Sequence, residues 1–247
     1  MKARSRLWII GVVLVLIATV TAVASAKSIP YVEPLGEDWG GVADPFVSPT
    51  GGFFASYFGR LDSGDVDAIA LDFDASVDDM SVELLVPECG DLFVDLYPAV
   101  AVIGPGLDRP DAGLLESLPF DLPPGAGLAL LTGEQAADET IAAREKVEFY
   151  DWMYYWDDAG LSVDIPEAGQ YLMVVWAPAE QIGAYALSTG GTHPDAADFP
   201  DGRELDRTMR LVSSGQWIGQ DCWNSASARA EWSDLTLREG VLPRFWR

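Results

Sequence analysis

Three aspartates stand close together where the sequence predicts the start of a β-strand. Asp62, Asp65 and Asp67 flank Gly64 in one short turn-like stretch. Their carboxylates are the hard oxygen ligands that Ca²⁺ prefers, although the spacing does not match an EF-hand loop. We therefore predict a calcium site of another kind at these three residues. The alternative interpretation is that Asp65 only caps the turn at Gly64.

A second candidate site is the segment 149–158, which reads FYDWMYYWDD. Aromatic rings can stack on the CH faces of a sugar, and neighbouring carboxylates can accept hydrogen bonds from its hydroxyl groups. This composition predicts a carbohydrate-binding platform built from Trp152, Tyr154 and Trp156. In the alternative interpretation the same three side chains share one face of a strand and pack into the core.

The chain has two cysteines, Cys89 and Cys222. An even number of cysteines in an exported protein predicts a disulfide between them. By chain entropy, the closure of a loop of about 100 residues stabilises a fold by roughly 4 to 5 kcal/mol. Two unrelated buried thiols remain the alternative.

Catalytic chemistry has little support in the sequence. There is no G-x-S-x-G nucleophile motif, and the single histidine, His193, lies in the turn-like sequence GGTHPD. Two facing carboxylates could act as acid and base. Because the chain has 39 acidic residues, however, the sequence does not point to any particular pair. We therefore expect a protein that is not an enzyme and has no catalytic residues. An uncharacterised secreted hydrolase is the alternative.

The first twenty-six residues predict export. Lys2, Arg4 and Arg6 precede an uncharged apolar run at residues 7–23, and Ala-Ser-Ala at residues 24–26 completes a signal-peptidase site. We expect a signal peptide at residues 1–26 and a secreted or extracytoplasmic mature chain. The alternative is an uncleaved membrane anchor with the domain outside, because seventeen apolar residues are at the lower limit for a membrane span.

The net charge of −24 limits the possible partners. A strongly acidic chain repels nucleic acids and anionic lipid surfaces, so neither is expected to bind, and membrane contact would arise only through an uncleaved N-terminal segment. The acidity fits a saline or acidic habitat, where carboxylates keep a surface hydrated. A genome composition that favours aspartate codons explains it equally well.

The rest of the chain divides by composition. Residues 27–52 are rich in proline and glycine and predict an extended lead-in. Short runs of strand length then recur through residues 53–190 and predict an all-β fold, an antiparallel β-sandwich or jelly roll. Residues 191–247 hold four tryptophans, too many for a free tail, and predict an extension packed on the sandwich.

Several spaced motifs within residues 50–190 resemble those of the bacterial pre-peptidase C-terminal domain, a β-sandwich module. The motifs are Gly59-x-Leu61, Gly64-Asp65-Val66-Asp67, Gly169-x-Tyr171 with Val175, and Gly183-x-Tyr185-x-Leu187. The resemblance implies an exported, non-catalytic accessory module. We expect Tyr171 and Tyr185 to place their rings in the core and a cell-surface glycan or protein to be the partner.

Overall fold

The computed structural model describes residues 29–33, 38–51, 55–87, 89, 93, 96–131, 146–148, 154–178, 180–190, 207–208, 210–212 and 216–218. These residues form an all-β sandwich of two sheets, which confirms the predicted fold class. No helix within the described residues has the length and apolar character needed to cross a membrane.

Within the described part of the chain, eleven strands make up the two sheets. They are β1 (Ile29–Val32), β2 (Phe46–Val47), β3 (Ala55–Leu61), β4 (Val66–Phe73), β5 (Val77–Pro87), β6 (Ala99–Gly104), β7 (Gly127–Leu131), β8 (Lys146–Glu148), β9 (Tyr154–Ile165), β10 (Gly169–Trp176) and β11 (Gly183–Thr189). The first sheet has six strands in the order β1-β3-β11-β5-β9-β8. The second has five strands in the order β2-β4-β10-β6-β7. The described residues also include a short helix, α1 (Ala112–Ser117), a 3-10 helix, Gln216–Ile218, and helical residues at 207–208 and 210–212.

Two edge pairs of the sandwich are parallel, whereas the other strand pairs are antiparallel. β1 pairs with β3, and β2 pairs with β4, in both cases in the same direction. The stretch predicted as an extended lead-in therefore supplies an edge strand to each sheet, and the sandwich begins before residue 53. These short strands satisfy backbone groups of β3 and β4 that would otherwise form open sheet edges.

The main core lies between the two sheets. Tyr57, Tyr171 and Tyr185 are fully buried there among aliphatic side chains from both sheets. Because side chains alternate along a strand, one face of β4 turns Ile69 and Leu71 into this core. The face is a continuous apolar surface except at its first position, Asp67.

The outer faces of both sheets are also covered. On the second sheet, α1 and the residues after it pack Leu114, Leu118 and Phe120 against the small side chains of the central strands. On the first sheet, the described part of the chain beyond residue 190 packs Trp217 and its neighbours over Phe58, with ring centroids 4.9 Å apart. The small side chains on these faces allow the covering segments to approach the sheets closely.

Candidate functional site: a buried acidic centre

The N-terminal strap, defined as residues 29–33 and 38–51, contributes β1 to the first sheet and β2 to the second and passes beside the start of β4. After β1, the backbone N–H of Glu33 donates to the carbonyl of Phe58 at 2.9 Å. Further along, the N–H of Ala68 donates to the carbonyl of Gly40 at 2.8 Å. These bonds bring acidic residues of the strap next to Asp67 of β4.

Three carboxylates meet at this crossing and form the acidic centre, defined as Glu33, Asp38 and Asp67. Each offers one oxygen, and these oxygens all lie within 4.8 Å of one another. Glu33 is 8% exposed and Asp67 is 0% exposed, whereas Asp38 lies at the surface. Across the described residues, this is the one group of three or more side chains of metal-ligating type that comes so close together.

Two backbone amides hold the carboxylate of Glu33 in place. Its Oε2 accepts a hydrogen bond from the N–H of Arg60 at 2.7 Å, and its Oε1 accepts one from the N–H of Trp39 at 3.2 Å. One donor belongs to β3 and the other to the strap. The glutamate therefore links the two parts of the chain and has a fixed orientation toward Asp67.

Asp67 has a hydrogen bond at only one of its two carboxylate oxygens. The hydroxyl of Tyr185 donates to Oδ2 at 2.7 Å. Oδ1 is buried and has no hydrogen-bond partner, and the indole Nε1 of Trp39 is likewise buried without one. Since more than nine in ten buried polar groups in proteins are paired, such an oxygen in a cluster of acids indicates a missing partner.

Burial makes the charged forms of these acids unfavourable. It is the main cause that raises the pKa of Glu33 to about 7 and the pKa of Asp67 to about 9. The negative charges of Asp38 and Asp65 raise both pKa values further. Burial, together with the carboxylate of Asp67, also raises the pKa of the Tyr185 hydroxyl. The two acids therefore hold their protons to a higher pH than exposed carboxyl groups do, and a bound cation would displace these protons.

The three aspartates predicted as calcium ligands do not meet at one point. Asp65 caps the turn: its Oδ2 accepts from the N–H of Asp62 at 3.3 Å and its Oδ1 accepts from the N–H of Val66 at 2.9 Å. Asp62 is exposed, and only Asp67 belongs to the acidic centre. The candidate ligand set therefore shifts from the turn to the crossing of the strap.

Sequence reasoning missed Glu33 and Asp38. Their approach to Asp67 depends on the parallel pairing of β1 with β3, which brings distant parts of the chain together and leaves no local signal. The burial of Asp67, by contrast, is indicated by the alternation of residues in the sequence. Asp67 lies two residues before Ile69 and four before Leu71. Because side chains alternate between the two faces of a strand, all three lie on the face that points into the core.

The other predicted sites are largely beyond the described residues. Trp152 lies outside them, and Tyr154 and Trp156 are placed only as backbone positions of β9. Cys89 is buried in the cluster that contains Trp217, whereas Cys222 lies outside the described residues. The sugar platform and the Cys89–Cys222 disulfide stay predictions.

Comparisons with known proteins do not assign the chain to a family. No family model matches it, and no curated protein gives a significant match. Among solved structures, the chain is similar to PliG of Aeromonas hydrophila, a periplasmic lysozyme inhibitor of g-type lysozyme. The two chains share 13% sequence identity with a TM-score of 0.31, and the match covers 67% of this chain and 96% of that chain. It is also similar to a CocE/NonD family hydrolase of Staphylococcus aureus, with 13% identity, a TM-score of 0.23 and coverage of 56% of this chain and 31% of that chain. Similarities this weak carry no conclusion about function, and membership of the pre-peptidase C-terminal family stays a prediction.

Proposed function

We propose that this chain is an exported, non-catalytic accessory module that binds Ca²⁺ at the acidic centre. The observation that carries the proposal is the unpaired Oδ1 of Asp67, which is buried within 4.8 Å of carboxylate oxygens of Glu33 and Asp38. Burial without a compensating charge makes the ionised form of this carboxyl group unfavourable, and a bound cation would stabilise that form.

The distances between the carboxylates suit a calcium ion. Ca²⁺ binds oxygen at about 2.3 to 2.6 Å, so two oxygens on opposite sides of one ion lie about 5 Å apart. The limit of 4.8 Å in the acidic centre is compatible with one shared ion. An all-oxygen set of ligands favours a hard cation over zinc, which in structural sites is held mainly by cysteine and histidine.

One side of the centre remains open to solvent. Asp38 is exposed, whereas Glu33 and Asp67 are buried behind it. Ca²⁺ takes 6 to 8 oxygen ligands, more than three monodentate carboxylates supply. Water or an oxygen atom of a partner would complete the coordination from the side of Asp38.

The proposal can be tested by calorimetric titration of the mature protein with CaCl₂ after treatment with a chelator, together with thermal unfolding. At a free calcium concentration of 100 Kd, binding to the folded state alone stabilises it by about 2.7 kcal/mol. We expect Asp67→Asn to abolish the binding heat and the calcium-dependent rise in Tm. In chelator at neutral pH, the same variant should be more stable than the parent protein, because burial of Asp67 requires the carboxyl group to keep a proton that the unfolded chain releases, whereas an amide does not.

Asp72→Asn is the matched control, because Asp72 lies on the same strand but is exposed on the other face. It should keep the full response to calcium. Absence of binding heat in the parent protein, or an equal response in the Asp67 variant, would refute the calcium site. An equal stabilisation by NaCl of the same ionic strength would assign the effect to screening of the net charge.

Localisation and partner are further parts of the proposal. The N-terminal sequence supports export, and a protein or glycan outside the cytoplasm is the partner we expect. Mass spectrometry of the exported protein should find an N-terminus near Lys27. A glycan array in calcium and in chelator tests the carbohydrate-binding alternative, for which Trp152→Ala is the first variant. Binding that requires Trp152 would move the ligand site to the aromatic segment.

A further inference from the structure

We infer that the cation works as a clasp that holds the N-terminal strap across the edges of both sheets and releases it when the ion is lost. The inference rests on the proposed calcium binding and concerns what the site regulates. Glu33 and Asp38 belong to the strap, whereas Asp67 belongs to β4. An ion shared by these residues therefore joins two parts of the fold that can separate.

The electrostatics of the crossing change sign when the ion binds. Without a cation, closure brings the acids of the strap against Asp67 and near Asp65, where burial and the neighbouring acids make their charged forms unfavourable, so closure is opposed. With a divalent cation between them, the same carboxylates attract the strap to the sandwich. The switch depends on the arrangement of charges on two segments and needs no change in the rest of the core.

The strand pairing of the strap is short, although Ile29 and Trp39 are buried. β1 pairs over four residues, from Ile29 with Ala55 to Val32 with Phe58, and β2 is a strand of two residues. Both occupy sheet edges, where local opening requires few broken contacts. Release would break these short pairings and expose the aromatic rings of the strap, while the central strands of both sheets would keep their pairing.

Aromatic packing keeps the closed strap in register. The ring of Trp39 lies 4.5 Å from that of Phe46 and 5.7 Å from that of Tyr57, and the ring of Tyr31 stacks on Tyr57 at 5.4 Å. Because these rings form one cluster, β1, the acidic centre and β2 should open together. The opened form would present the edges of β3 and β4, which are free to pair with another strand.

Hydrogen exchange with mass spectrometry on the mature full chain tests the clasp. At a free calcium concentration of 100 Kd, the open population falls about a hundredfold, so amides in residues 29–33 and 38–51 should exchange about a hundredfold more slowly than in chelator. In chelator, amides of β6 and β10, in the middle of the second sheet, should exchange far more slowly than those of the strap, because they open only when the whole fold unfolds. NaCl at equal ionic strength should not reproduce the protection of the strap.

Two variants separate the charge effect from folding. Asp38→Asn removes an exposed acid of the strap and should lose most of the protection by calcium while the fold remains intact. Asp67→Asn should slow the exchange of the strap even in chelator, because it removes the opposing charge, with no further effect of calcium. Asp44→Asn, at another exposed acid of the strap, is the control and should behave as the parent protein does.

The outcomes distinguish the clasp from the calcium site itself. Calcium binding by calorimetry with unchanged exchange in the strap overturns the clasp and leaves the calcium site standing. Equal exchange free energies for the strap and for β10 in chelator also overturn it, because the strap would then open only in global unfolding. No calcium binding at all overturns the proposed function and the clasp together.

Discussion

Two tyrosines occupy corresponding places in the two sheets, and their surroundings differ in one decisive respect. Each follows a glycine by two positions, Tyr171 in β10 and Tyr185 in β11, and each lays its ring over a glycine of the neighbouring strand. A Cβ atom on Gly104 would lie 2.0 Å from Cδ1 of Tyr171, and one on Gly59 would lie 2.6 Å from the hydroxyl of Tyr185. The two G-x-Y strands thus use the same packing device.

The hydroxyl groups at the ends of these rings have different partners. That of Tyr171 lies 2.7 Å from the carbonyl of Pro105 and 3.1 Å from the carbonyl of Glu167, so its surroundings are neutral. That of Tyr185 donates to the buried carboxylate of Asp67. The same G-x-Y motif therefore holds loop carbonyls next to the second sheet through Tyr171 and supports the acidic centre through Tyr185 of the first sheet. The strand pattern alone does not separate structural from functional use.

The largest expected effect is the loss of either ring. Both tyrosines are fully buried, so we expect Tyr171→Ala and Tyr185→Ala each to lower the free energy of unfolding by about 3 to 5 kcal/mol. Chemical denaturation of the two variants measures this. A loss below about 1 kcal/mol at either position would show that the ring is not a core element and would end the parallel between the sheets.

The glycines under the rings should come next. Gly104→Ala and Gly59→Ala place a methyl group where the tyrosine ring lies, and overpacking of this kind costs about 1 to 3 kcal/mol. Gly160→Ala is the matched control, because the nearest atom to an added Cβ there is 3.9 Å away. That variant should stay within about 0.5 kcal/mol of the parent protein. Equal costs at all three positions would point to strand propensity as the cause.

Removal of only the hydroxyl groups sharpens the comparison. Tyr171→Phe loses a hydrogen bond between neutral groups, at a cost of about 0.5 to 1.5 kcal/mol that should be the same in calcium and in chelator. Tyr185→Phe leaves Asp67 without its donor, at a cost of about 1.5 to 3 kcal/mol in chelator. Calcium should reduce the second cost, because the ion compensates the same carboxylate. Identical calcium dependence of the two variants would contradict the assignment of Tyr185 to the acidic centre.

The sequence contained enough information to place most of the second sheet. Along residues 68–74 the apolar Ile69, Leu71 and Phe73 alternate with other residues, which is typical of a strand with one buried face, and the observed β4 runs from Val66 to Phe73 with these three side chains buried. Local periodicity suffices here, because one face of the strand meets the core and the other does not. The alternation of side chains along β4 also indicates that Asp67 is buried. It does not indicate which side chains lie next to Asp67.

The partners of Asp67 could not be predicted, for a physical reason. Glu33 reaches it only because β1 pairs in parallel with β3, and an edge strand of four residues carries almost no periodic signal. Proline and glycine in the same stretch favoured an extended lead-in. The acidic centre is therefore a product of tertiary pairing, whereas the packing of the tyrosines follows from local sequence.

The smallest expected effect tests the other face of β4. Asp72 is exposed, and its one described side-chain hydrogen bond is accepted from the Nε2 of Gln170 at 3.2 Å. A solvated carboxylate with such a contact contributes little, so Asp72→Ala should change the free energy of unfolding by less than about 0.5 kcal/mol. Urea denaturation in chelator and in calcium measures the change, which should be the same in both conditions. A cost above about 1 kcal/mol, or one that depends on calcium, would mean that this face of β4 also contributes to the ion site. The contrast between the buried Asp67 and the solvated Asp72, on which the acidic centre depends, would then be wrong.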